Sequence, residues 1–207
     1  MKSNHPPPPS GVVSQALAEF KRRGSVLLVA GPAADAHAEF RRRSLAGTDS
    51  GVLVRTDGRS NQDGVSVGGD VRIVDVPAPV RGAAAAGEPI GTTSLVELNG
   101  TVRRLIETAT ASVSDDPSGV RLALDSLRPY VDGATDQALR SFLADVGSVA
   151  RDHGAVVYIH LPAPIDAVPS ALSETADAVV ELRSEPDGGV QRWRLPDEAV
   201  TTEWIEI

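Results

Sequence analysis

Cysteine is absent from the chain. That excludes disulfides, a thiol nucleophile, thiolate zinc sites and iron–sulfur clusters. Histidine is scarce: His5, His37, His153 and His160 are the full set, and none lies near another at ligand spacing, which argues against a histidine metal site. Lysine is nearly missing, since Lys2 and Lys21 are the only two among 20 basic residues. Long apolar runs are missing too. A membrane-spanning helix needs about 18 consecutive apolar residues, and the longest run here is about half that. Met1 to Ser10 carries no apolar stretch of the signal-peptide kind. The expectation from these absences is a cytoplasmic protein that does not enter a membrane.

What is present points to one domain. The chain has 207 residues, of which 41% are apolar, enough for a single sizeable core. Acidic residues number 28 against 20 basic, for a net charge of -8, and aspartate outnumbers glutamate 17 to 11. Alanine, glycine and valine dominate the small and apolar positions. An acidic, lysine-poor surface suits a salt-filled cytoplasm, where the Debye length falls to about 3 Å at 1 M and self-repulsion costs little. This composition resembles that of haloarchaeal proteins; a GC-rich genome also exchanges lysine for arginine. The four prolines of residues 6–9 favour polyproline II, so residues 1–10 read as a flexible tail and residues 11–207 as the domain. A polyproline run also suits an SH3-like groove.

Along the chain, apolar strands alternate with amphipathic helices. Residues 12–23 place Val13, Leu17 and Phe20 on one helical face, and Gly24 closes the helix. Residues 25–30 are apolar on both faces, the mark of a buried parallel strand. A helix over 35–46 follows, with Ala36, Phe40 and Leu45 inward, then strands over 51–56 and 71–76. Polar or Gly- and Pro-rich connections occupy 57–70 and 77–93; a connection this long is often functional or disordered. Helices over 94–113 and 135–152 flank a strand at 120–125, and a further strand runs 155–161. A short helix falls within 166–175. Strands over 176–183, 190–195 and 202–207 close the chain, the first two joined through a Pro-Asp-Gly-Gly hairpin signal. The pattern predicts an α/β domain: a three-layer sandwich with a mainly parallel central sheet and antiparallel strands at its C-terminal end. Strands 25–30, 120–125 and 155–161 should be central.

In such a fold a phosphate would bind at the first strand-to-helix turn. That turn reads Gly31-Pro32-Ala33-Ala34-Asp35-Ala36-His37-Ala38. Against the phosphate-loop pattern G-x-x-x-x-G-K-[ST], Gly31 matches, while Ala36, His37 and Ala38 replace the second glycine, the lysine and the hydroxyl. The order of elements, the helix and Gly24 before VLLVAGP, the run RLALDSL with Asp125 at its acidic position, and the closing strands all resemble the RecA/KaiC-like ATPase fold. The likeness covers about residues 12–196 and is nearest to degenerate KaiC-like proteins of haloarchaea. It implies a vestigial nucleotide site made of Gly31, Asp35, His37 and Asp125. The departures imply that no cofactor is held. The lysine would meet the β- and γ-phosphates and the hydroxyl would hold Mg²⁺. His37 is mostly neutral near pH 7, Ala38 cannot ligate, and Asp35 repels phosphate. Each lost charge-assisted hydrogen bond is worth about 1.5–3 kcal/mol, against about 0.3–1 kcal/mol for a bare helix N-terminus.

Other candidates have plainer explanations. Asp35 reads as the helix cap, and Asp125 as a strand-end residue that satisfies turn amides. Asp57 lies near the family's catalytic-acid position but sits in an ordinary Asp-Gly turn. His160 ends a strand on the site edge and reads as a satisfied core histidine. Arg41-Arg42-Arg43 complement a helix C-terminus. Trp193 and Trp204 read as cover for the sheet edge. Ser126 has no placed base, and Asp115-Asp116 read as an exposed turn. The expectation is therefore a non-catalytic RecA/KaiC-like regulatory or assembly module with a protein partner, or with a second copy of itself. Its alternatives are an ATPase with an unusual loop and a DNA-transaction accessory protein, the latter opposed by the net charge of -8.

Overall fold

The computed structural model describes residues 9–56, 71–78, 94–113, 119–196 and 199–207. Its frame follows from one strand. The six residues of β1 (Ser25–Ala30) are all buried, and successive side chains enter two different cores. Val26 and Leu28 join a cluster with α3 (Leu95–Ala111) and α5 (Asp136–Asp152). Leu27 and Val29 join a cluster with α1 (Pro9–Arg23) and α2 (Ala34–Leu45). The sheet therefore has helices on both faces, as the continuous apolar pattern requires.

The remaining strands are β2 (Ser50–Arg55), β3 (Val71–Asp75), β4 (Val120–Leu124), β5 (Val156–Leu161), β6 (Ala178–Glu185), β7 (Gly188–Leu195), β8 (Val200–Thr201) and β9 (Ile205–Glu206). They form one sheet in the order β3-β2-β4-β5-β1-β6-β7-β8, with β9 also on β7. β1 to β6 run parallel, and β7 turns back antiparallel on β6. The three strands expected at the centre are there. α2 carries the chain from β1 to β2 across one face, whereas α3, α5 and α6 (Ser170–Ser173) lie on the other. Right-handed crossovers demand this split once the direction of travel reverses.

Several boundaries differ from expectation. α1 begins at Pro9, so two residues assigned to the tail are helical. A short helix, α4 (Arg128–Val131), occupies a stretch to which the sequence pattern assigns no element; Pro129 lies in its first turn, where proline is tolerated. The run 202–207 is not one strand: β8 and β9 flank Thr202–Trp204, and the Thr202 hydroxyl accepts from the Trp193 amide at 3.0 Å. The hairpin loop is Pro186-Asp187, with Gly188 already paired to Glu185. Trp193 is buried in the core and does not cover an edge. The guanidinium groups of Arg183 and Arg192 both lie over the Trp204 ring, at 4.1 and 4.7 Å from its centroid.

Candidate functional site

β1 and β5 are neighbours whose chains leave their C-terminal ends toward opposite faces, through α2 and through α6. Such a switch point is where a doubly wound sheet opens a ligand crevice. Here it is laced shut. The Gly31 amide donates to the Ala163 carbonyl at 2.9 Å, joining the loop after β1 to the loop after β5. One strand further, the Leu127 amide donates to the His160 carbonyl at 2.7 Å, and Arg128 reaches the Pro162 carbonyl at 3.0 Å. Beyond that, the Thr56 amide and hydroxyl both lie 2.9 Å from Asp125 Oδ1. The Thr56 hydroxyl also donates to the Ser126 carbonyl at 2.6 Å.

Only Gly31, Pro32 and Ala33 separate β1 from α2. Positions 34–36, which a phosphate loop would hold as loop, are the first turn of the helix. Gly31 has φ +148°, and a Cβ there would stand 2.2 Å from the Leu182 carbonyl oxygen, so only glycine fits. The helix N-cap is Ala33, which makes no side-chain cap bond. Asp35 is thus not the cap. Its carboxylate accepts from the Ser184 hydroxyl at 2.7 Å. That bond, with the amides of Ala36 and of Asp35 itself, holds the acid below its usual range. The anion facing this helix end is the chain's own.

His37 does not face solvent as a phosphate-loop lysine must. It is 1% exposed, and its ring joins His160, which is fully buried on β5. His37 Nε2 lies 2.9 Å from the Gly31 carbonyl oxygen. A carbonyl only accepts, so Nε2 carries the proton. Burial pushes the His37 pKa down to about 4, opposed by the Gly31 carbonyl and assisted by nearby Arg41. The ring is therefore neutral at pH 7 and its Nδ1 is bare. His160 Nδ1, 2.7 Å away, must then donate. Burial first, then His37 and Arg41, hold His160 well below the ordinary imidazole range. Its remaining nitrogen, Nε2, is bare, enclosed and without a partner among the described residues. Phe40 packs edge-on against this ring, the centroids 5.9 Å apart.

Of the four expected site residues, Gly31 and His37 meet, with His160 as an added member. Asp35 is turned to Ser184, and Asp125 is engaged two strands away at Thr56. Asp57 and the Asp115-Asp116 pair lie outside the described residues. Arg42 and Arg43 are exposed and pair with Glu39 as helix-face cations do. Among the described residues no cluster of three or more His, Cys, Asp or Glu could hold a metal ion, and no helix is long and apolar enough to cross a membrane. The histidines show no ligand spacing along the chain, yet two of them meet in space: 123 residues separate His37 from His160, and spacing along the chain carries no information about the pair.

No curated protein matches the chain. A family match does exist, and it runs from Gly24 to Leu182, the span that holds Gly31, both buried histidines and Asp125 and in which every parallel strand begins. By that match the chain belongs to a family of unknown function, DUF7504.

Proposed function

We propose that the chain is a non-catalytic RecA/KaiC-like domain whose phosphate loop has closed, and that it acts by binding another protein in regulation or assembly. The order of elements supports the likeness: a helix and Gly24 precede β1, Asp125 directly follows β4, and antiparallel strands close the sheet. The single observation that carries the loss of catalysis is the fate of His37. It stands at the lysine position, yet it is neutral, buried, and bonded to the loop's own carbonyl and to His160. A phosphate would find a neutral imidazole at the lysine position and would meet the Asp35 carboxylate beside it.

Titration calorimetry with ATP-Mg²⁺ at high salt, paired with phosphate release, tests this reading. The expected result is neither heat nor turnover. Binding with a Kd near 1 μM, about -8 kcal/mol, would overturn it in favour of an ATPase with an unusual loop. The protein-binding half is tested by co-purification of the tagged chain from its source cell in molar salt. A stoichiometric protein partner is expected, and salt-sensitive retention of DNA alone would favour the DNA-accessory reading.

A further inference from the structure

A second region of the molecule has chemistry that the closed crevice does not use. A cavity of about 210 Å³ lies between α1, α2 and the sheet. Its apolar wall is made by Leu17, Ile207 and parts of three otherwise buried rings, Phe40, Tyr158 and Trp193. Phe40 meets Tyr158 edge-on at 5.8 Å and Trp193 at 6.5 Å. Its polar wall carries Lys21, Arg43 and Arg121 with Ser44 and Gln191 and, among the described residues, no carboxylate side chain. That is a marked imbalance in a chain with 28 acidic residues and a net charge of -8.

The three cations are not equally occupied. Arg43 is shared with Glu39 at 2.9 Å. Arg121 donates Nη1 to the carbonyls of Ser44 and Ala46, while its Nε is enclosed and without a partner among the described residues. Lys21 has no hydrogen bond or ion pair among the described residues. Helix dipoles account for Lys21 and Arg43, each in the last turn of its helix. Arg121, which comes from β4, also serves a helix end, since Ser44 and Ala46 lie at the C-terminal end of α2. These separate roles do not account for three cations on one cavity with no carboxylate side chain among the described residues. We infer that this cavity is a binding site for a small aromatic anion, one ring bearing a carboxylate or a phosphate. An apolar cavity of roughly 150 Å³ accepts a benzene, so 210 Å³ leaves room for one ring and one charged group. The ring would lie against Phe40, Tyr158 and Trp193. The charged group would meet Lys21 and the Arg121 guanidinium.

The test uses the full chain carrying Trp204→Phe, so that Trp193 is the sole indole reporter. Benzoate and phenyl phosphate are titrated by Trp193 fluorescence and by ¹H–¹⁵N NMR, in the salt at which the fold melts highest. Saturable binding is expected with Kd of about 1 mM or tighter, with shifts at Lys21 and Arg121. Benzyl alcohol and inorganic phosphate, which each lack one half of the recognition, should bind at least about tenfold more weakly. Lys21→Gln should weaken the aryl anions by about tenfold, whereas Arg104→Gln on α3 should not. No saturable binding by either aryl anion overturns the proposal. So does equal binding of benzyl alcohol or phosphate, or a Lys21→Gln variant that melts normally and binds unchanged.

Discussion

His37 and His160 form a closed pair of donor and acceptor, so removing one partner should cost more than removing both. His37→Leu leaves the His160 Nδ1–H buried and unpaired, and a loss of about 2–3 kcal/mol is expected. His37→Leu with His160→Leu replaces both polar groups by apolar volume and should recover most of that loss. A double-mutant cycle by urea denaturation measures the coupling; additive losses would show that the bond contributes nothing. The same pair sets a pH dependence. Both folded pKa values lie below the unfolded imidazole value of about 6.5, His37 at about 4 and His160 well below the ordinary range, each through burial first. Between those values the unfolded chain binds more protons, so stability is complete above pH about 6.5 and falls as pH drops toward 4, by ~1.4 kcal/mol per pH unit for each proton. The double leucine variant should lose that slope, and an unchanged slope would place the titration elsewhere. The pair also decides what repair of the loop can do. Ala36→Gly with His37→Lys and Ala38→Thr supplies the missing residue types. It also strands His160 and leaves Gly31 to Ala33 too short to cradle a phosphate. It should therefore melt lower and gain no ATP binding. Little of this was legible in the sequence. His160 sits in AVVYIHL, where every neighbour is apolar, so a buried polar atom needing a partner followed from the pattern. Nothing local could name His37 as that partner, because the contact is made by the β1–β5 pairing.

Elements were more legible where a period was long enough to repeat. The stripe Leu98, Val102, Leu105, Ile106 of α3 and the stripe Leu139, Phe142, Leu143, Val146, Val149 of α5 are buried as their spacing predicts. α4 was missed because four residues cannot display a helical period. β3 reads like its neighbours, yet Ile73 is 45% exposed, because its place at the sheet edge depends on which strand it pairs with. Two glycines make opposite predictions at this scale. Gly24 ends α1 with φ +72°, and a Cβ would stand 2.1 Å from the Ala150 carbonyl oxygen of α5. Gly24→Ala should strain the backbone and force α5 off the sheet, losing about 3 kcal/mol or more. Gly100 lies inside α3 with nothing within 4 Å of its Cβ position. Gly100→Ala should instead stabilise by about 0.5–1 kcal/mol through the unfolded chain. Thermal melts of the two variants check both signs. A neutral Gly24→Ala would mean that the α1–β1 junction relaxes freely.

At the scale of the whole molecule, net charge and local pairing pull against each other. The described surface pairs are mostly short-range or exposed, such as Arg22 with Glu19 at 2.7 Å and Arg140 with Glu174 at 2.8 Å. Such exposed pairs contribute little in dilute buffer and less in salt. Against them stands the mutual repulsion of a chain at -8, which acts over many residues and falls as the Debye length shrinks from about 10 Å at 0.1 M to about 3 Å at 1 M. Salt therefore removes a few small gains and one distributed cost, and the distributed cost should dominate. The Tm is expected to rise between about 0.1 and 2 M KCl. Salting-out of apolar groups would also raise it, so a charge variant is needed to assign the cause. Glu107, Asp152 and Glu203 are exposed and make no pair among the described residues. Glu107→Gln, Asp152→Asn and Glu203→Gln together remove three negative charges and break no described contact. If repulsion is the cause, this variant melts higher than the parent in dilute buffer and the difference closes in molar KCl. A difference that persists at every salt concentration would assign the gain to helix propensity. A parent Tm that is flat or falling with salt would remove the case for a salt-adapted surface and leave the arginine bias to genome composition.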